Sequence, residues 1–150
     1  MVIGQYTGTI GEKYQIAIPK KFREELGDKL IITKGFEGCL IAVSEENWKT
    51  LLEDIQGRPF ADKASREKQR FILGNASSVE LDIKGRFVLP EYLRKYAAIT
   101  NDVIYAGIER FFEIWDKNKW EEQQKDLAEN IAMITEKLGE DRKAAGRQDE

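Results

Sequence analysis

Asp82, Lys84, Gly85 and Arg86 fall within one short stretch, Asp82-Ile83-Lys84-Gly85-Arg86, and their residue types suit recognition of an anion or a base edge. Aspartate at the first position and glycine at the fourth is the preference of a type I turn, the carboxylate bonding back to the turn amides and the glycine taking a positive φ. Lys84 then sits at the tip. Arg86 opens the outgoing strand, where Asp82 can brace it across the turn and leave its guanidinium fork facing outward. A fork held in place loses less entropy on meeting a phosphate or a guanine edge. The competing reading is a local surface ion pair, worth about 0 to 1 kcal/mol, and turn chemistry by itself favours it.

Most catalytic chemistry lacks its residues. The 150-residue chain contains no histidine, the commonest general base and metal ligand. Its single cysteine, Cys39, cannot build a thiolate zinc site. The glycines at 35 and 38 have neither the lysine nor the spacing of a phosphate loop. The chain therefore reads as a non-enzyme with no catalytic residue, metal, cofactor or small-molecule substrate. Cys39 lies in the apolar run Cys39-Leu40-Ile41-Ala42-Val43 and is expected to be a buried small hydrophobe. No run approaches the roughly 18 apolar residues of a membrane helix, and no apolar leader follows Met1, so a cytoplasmic protein is expected.

The elements that must position the turn come in two copies. Setting Pro19 on Pro90, 71 residues apart, also sets Ile18 on Leu89, Lys13 on Lys84 and Arg23 on Arg94. With one inserted residue the match continues to Gly35 on Gly107 and Trp48 on Trp120. Two halves of roughly 70 residues would be marginal alone, so a tandem duplication sharing one core is expected. The two tryptophans are read as its anchors.

Each half reads as strand, strand, a short helix started by its proline, a hairpin and a closing helix. In the first half these fall near Val2 to Ile10, Tyr14 to Ile18, Lys20 to Leu26, Lys29 to Lys34 with Cys39 to Val43, and the helix of Trp48, Leu51, Leu52 and Ile55 capped by Ser44. The organisation is a first repeat over 1–56, a basic helical connector over 57–76, a second repeat with its C-terminal helix over 77–139, and a disordered tail over 140–150. The last helix carries Leu127, Ile131, Ile134 and Leu138 at heptad-like spacing. That seam could lie on the helix's own domain or on a neighbouring subunit. Net charge is -3, with 16 basic and 15 acidic residues up to Ile108 and 8 and 12 after it, which puts the acidity in the tail.

Three motifs, the run from Thr9 through Ile18-Pro19-Lys20-Lys21-Phe22-Arg23-Glu24, the segment Gln69-Arg70-Phe71-Ile72-Leu73-Gly74-Asn75-Ala76 and the run from Leu81 to Pro90, together resemble the MraZ family. The resemblance spans about Met1 to Gly139. It implies an α+β fold, a swapped-hairpin AbrB-like (SpoVT-AbrB) β-barrel built from both repeats, with flanking helices and a long C-terminal helix. It further implies a nucleoid-associated transcriptional regulator of the bacterial division and cell-wall gene cluster, a homo-oligomeric ring on short direct repeats in promoter DNA. The DNA-reading feature it implies is a D-x-x-x-R turn in each half.

Only the second half keeps that turn. The first-half positions are Gly11, Tyr14 and Gln15 in place of Asp82, Gly85 and Arg86, with Lys13 as the remaining cation. Lys84 and Arg86 are the expected DNA contacts, supported by Asp82 and Gly85. Gln15 could still read adenine and Lys13 could still meet phosphate, or Tyr14 packs inward and the first turn is structural. The reading from another class is an oligomeric scaffold that kept the fold and lost effective DNA binding.

Overall fold

The computed structural model describes residues 1–55 and 60–148. The expected close of the first half at Gln56-Gly57-Arg58-Pro59 lies outside the described residues. Two compact units are present, Met1–Lys117 and Asn118–Glu150, and the strands of both repeats fall in the first.

The first unit follows the repeat. Strands β1 (Val2–Thr9) and β2 (Gln15–Ala17) lead into helix α1 (Lys20–Leu26), the hairpin β3 (Lys29–Lys34) and β4 (Leu40–Ser44), and helix α2 (Glu45–Ile55). Helix α3 (Lys63–Ile72) comes next, then β5 (Ser77–Glu80), β6 (Arg86–Val88), α4 (Glu91–Tyr96), and the hairpin β7 (Asp102–Glu109) and β8 (Phe111–Asp116). Pro19 and Pro90 stand immediately before α1 and α4 with φ of -52° and -54°, angles the pyrrolidine ring imposes and a helix start accepts. The Asn47 amide donates to Ser44 Oγ at 3.0 Å, so the expected cap of α2 forms. Asp62 caps α3 by accepting from the Ala64 amide at 3.1 Å.

Six strands make an antiparallel sheet in the order β1-β7-β8-β4-β3-β5, and β2 and β6 pair apart from it. The order is nearly symmetric about the β8–β4 seam, since β1, β3 and β4 have β5, β7 and β8 as counterparts. The sheet does not close into a hydrogen-bonded barrel: β1 and β5 remain its edges, and the β2–β6 ribbon crosses its core face. Each half supplies one strand of that ribbon, which is the swapped hairpin that the resemblance implies.

The core face joins the halves. Phe22 of α1, Ile16 and Phe87 of the ribbon, Leu93 of α4, and Leu30, Tyr105, Phe112 and Ile114 of the sheet form one buried cluster. Phe112 sits among the others, its ring 5.1 Å from that of Phe22 and 6.2 Å from that of Tyr105. The opposite face of β3 and β4 is covered by α2 and α3, which explains why Leu30 to Thr33 are all buried. Trp48 does not anchor this core. It is half-buried on α2, and the buried tryptophan of the unit is Trp115.

Cys39 is fully buried, as expected. Burial first, and then the neighbouring Glu113 carboxylate, push its thiol far above the ordinary range. The folded protein should therefore leave Cys39 unmodified by a thiol-reactive disulfide at pH 8 and become reactive only on unfolding in urea. Prompt modification of the native protein would contradict this burial.

The second unit is helical. Helix α5 runs from Lys117 to Gln148, past the point near Leu138 where a frayed tail over 140–150 is expected. The segment Glu140-Asp141-Arg142-Lys143-Ala144-Ala145 is made of good helix formers except aspartate, with Lys143 three residues after Glu140 and Lys137 four before Asp141, which favours continuation. Ile131, Ile134 and Leu138 stand exposed along it, together with Met133. No helix among the described residues is long and apolar enough to cross a membrane.

Candidate nucleic-acid interface

The turn between β5 and β6 is built as its residues dictate. The Gly85 amide donates to the Asp82 carbonyl at 2.8 Å and the Asp82 amide to the Arg86 carbonyl at 3.0 Å. Asp82 Oδ1 accepts from the amides of Lys84 and Arg86, each at 2.9 Å, and Oδ2 accepts from Arg86 Nε at 3.0 Å. One carboxylate thus organises the whole loop. These bonds, led by the backbone bond from Arg86, hold the Asp82 carboxyl below its ordinary range. The brace consumes Nε of Arg86, and the Nη end of the fork extends from it. Lys84 and Ile83 are exposed at the tip.

Between β1 and β2 the same two backbone hydrogen bonds recur without those side chains, over a turn in which Lys13 as well as Tyr14 takes a positive φ. The Gly11 amide donates to the Gln15 carbonyl at 2.8 Å, and the Tyr14 amide to the Gly11 carbonyl at 3.2 Å. Tyr14 takes φ 60° where Gly85 takes φ 76°. A tyrosine therefore occupies the left-handed position that glycine fills in the other copy, a conformation that disfavours side chains.

What accommodates it comes from the opposite half. Arg94 of α4 lays its guanidinium over the Tyr14 ring, 3.8 Å from the centroid, a contact worth about 0.5–2 kcal/mol. Its counterpart Arg23 of α1 lies over the second turn, and its Nε donates to the Ile18 carbonyl at 3.1 Å. Arg94 Nε makes no such bond and is buried without a partner among the described residues. Both arginines are thus structural clamps on the other half's turn. The sequence carried one trace of this, the matching Pro19 to Arg23 and Pro90 to Arg94 spacing, but nothing in it named the partners.

Gly85 is required twice over, by its φ and by space. A Cβ there would lie 2.4 Å from Arg23 Nε and 2.5 Å from its Cδ. Gly85→Ala is expected to lower stability by about 1–3 kcal/mol, the usual cost of a side chain held at positive φ, read as a shifted urea midpoint. An unchanged midpoint would mean that Arg23 yields freely.

The two turns flank the β2–β6 ribbon, whose register pairs Gln15 with Val88, Ile16 with Phe87 and Ala17 with Arg86. Bonds from the Ile18 amide to the Gly85 carbonyl at 2.9 Å and from the Leu89 amide to the Tyr14 carbonyl at 3.0 Å extend it at either end. Ile16, Ile18, Phe87 and Leu89 are buried beneath. Alternation therefore turns Gln15, Ala17, Arg86 and Val88 outward on one face. The structure brings Lys13, Gln15, Lys84 and Arg86 to this one region. Leu127, Ile131, Ile134 and Leu138 belong to the other unit. Among the described residues no group of three histidine, cysteine, aspartate or glutamate side chains could hold a metal.

The ribbon strands, one from each repeat over a shared core and each preceded by its turn, define a two-repeat α+β protein whose ribbon turns Gln15, Ala17, Arg86 and Val88 outward. The chain belongs to the MraZ family: the family model "MraZ protein, putative antitoxin-like" matches residues 1–71 and 72–140. The two matches meet at the C-terminal end of α3. A protein of Caldanaerobacter subterraneus subsp. tengcongensis named "Transcriptional regulator MraZ" is 41% identical over 138 residues, 92% of this chain and 96% of the relative. Proteins with the same name from Acetivibrio thermocellus and Clostridium tetani are 41% and 39% identical, covering 92% and 93% of this chain and 96% and 98% of theirs.

Proposed function

We propose that this protein is a DNA-binding transcriptional regulator that reads its site through the Asp82–Arg86 turn. The observation that carries the reading is the set of three hydrogen bonds to the Asp82 carboxylate, which fix the loop backbone and Arg86 Nε together. An arginine fork held this way is suited to a bidentate contact with guanine O6 and N7. Lys84 and Lys13, at the tips of the two turns, are placed to meet phosphates, and Gln15 to meet adenine. The names of the relatives support the regulatory role.

At the finer level, the protein acts as a homo-oligomeric ring, nucleoid-associated in the cytoplasm, on short direct promoter repeats of the division and cell-wall gene cluster. Aligning several single-turn sites with successive repeats can raise avidity by about 10² to 10⁴ without new contacts. This suits a chain with one complete turn. The exposed Ile131, Ile134 and Leu138 of α5, with Leu127, would supply subunit contacts. The altered first turn also favours a second reading, an oligomeric scaffold with weakened DNA binding.

Fluorescence anisotropy with DNA from upstream of the protein's own gene, at two salt concentrations and beside a scrambled duplex, separates the readings. Tight, sequence-dependent binding that weakens with salt supports the regulator. Equal binding to both duplexes would leave the scaffold in its place.

A further inference from the structure

Val88 is a large apolar side chain left 54% exposed on the ribbon face that carries Arg86 and Gln15. Its neighbours in the strand, Phe87 and Leu89, are buried, so its exposure is set by the pleat and not by a loose strand. Directly across the ribbon stands Gln15, and directly opposed strand residues have Cβ atoms about 4.5–5.5 Å apart. One amide and one apolar side chain thus lie side by side on the surface that presents the guanidinium.

Resting on the DNA-binding reading above, we propose that the β2–β6 ribbon itself enters the major groove and that the cross-strand pair Gln15–Val88 reads an A·T base pair. A two-stranded ribbon fits that groove. There, an A·T pair presents adenine N7 and N6 beside the thymine C5-methyl. The Gln15 amide meets the adenine edge, and the Val88 methyls cover the thymine methyl. The pair lies two residues along the ribbon from Ala17–Arg86, about 6.6 Å, against about 3.4 Å of rise per base pair. The A·T pair therefore lies within about two steps of the guanine read by Arg86. Ala17, opposite Arg86, is small enough to let the backbone approach. Specificity thus comes from both halves even though the first turn has lost its arginine.

The test removes the methyl from the DNA rather than from the protein. Each thymine of the promoter duplex is replaced in turn by deoxyuridine, and anisotropy is measured with the wild type and with Val88→Ala. At one thymine, deoxyuridine is expected to weaken wild-type binding about fourfold, the worth of one methyl-sized group removed from water. Val88→Ala should lose about the same factor on the thymine duplex and show no further loss at that position. The thermal midpoint of the variant checks that the ribbon is intact, and the wild-type scan needs no variant at all. If the wild type prefers its promoter over scrambled DNA while no deoxyuridine weakens it, or if the loss at that thymine persists in Val88→Ala, the ribbon assignment is overturned and the Arg86 reading stands. If the wild type shows no promoter preference, both fail together.

Discussion

Arg86→Ala should sharply reduce promoter-specific binding while leaving the assembly state and the thermal midpoint unchanged. Arg86 projects from an exposed turn, and its partner Asp82 is also exposed, so truncation leaves no buried charge behind. The stability change should stay within about 0.5 kcal/mol. Binding is different, because a bidentate arginine–guanine pair is worth about 1–3 kcal/mol of discrimination, or about 5- to 150-fold for each engaged site. In an oligomer engaging several repeats at once those factors compound. Arg86→Lys should recover the charge without the specificity, since an ammonium lacks the fork. Lys84→Ala should instead weaken all sequences alike and flatten the salt dependence by about one unit of slope. Specific binding left undiminished by Arg86→Ala would move recognition elsewhere on the surface.

The same turn fixes the pH profile. Asp82 has its folded pKa held below the ordinary carboxylate value by the bonds from Arg86 and Lys84. The support it gives is present above the ordinary value and fades as the pH falls through the lowered one. With no histidine in the chain, affinity should be level between about pH 6 and 8. A midpoint near neutrality would point to a different titrating group.

Phe112→Ala carries the largest expected effect on stability, about 3–5 kcal/mol. The ring is fully buried on β8, packed against Phe22 of the first half and Tyr105 of the second. Removing it opens a cavity shared by both repeats. Against a total of about 5–15 kcal/mol the loss should appear as one cooperative transition at lower urea, with the two halves unfolding together. Two separated transitions, one insensitive to the change, would mean that the repeats hold independent cores.

Much of this was legible in the sequence because local chemistry decided it. The bounds of α1 and β3 coincide with the expected ones, since Pro19 and Gly27 bracket the helix and the β-branched run Ile31-Ile32-Thr33 drives the strand. The Asp82–Arg86 turn formed as its residue types require. Where distant partners decide, local pattern was silent. Nothing near Tyr14 announces Arg94, 80 residues on, and nothing near Gly85 announces Arg23. Trp48 has the helical spacing of a core anchor, but the centre of the shared core is filled by Phe112, Phe22 and Tyr105. Helix α5 continues to Gln148 because acidic and basic residues at helical spacing sustain an exposed helix of low apolarity.

The mismatch between Tyr14 and Gly85 bears on how such a molecule can change over time. Had the two halves been separate identical chains meeting about a two-fold axis, any substitution in one loop would appear in both at once. A tyrosine forced into the glycine position would then strain both loops, and losing the arginine would erase both fingers. Joined in one polypeptide, the copies are inherited independently. One loop can drift to a tyrosine propped by an arginine from across the molecule while its twin stays intact, and a sequence once repeated becomes a reader with unlike ends.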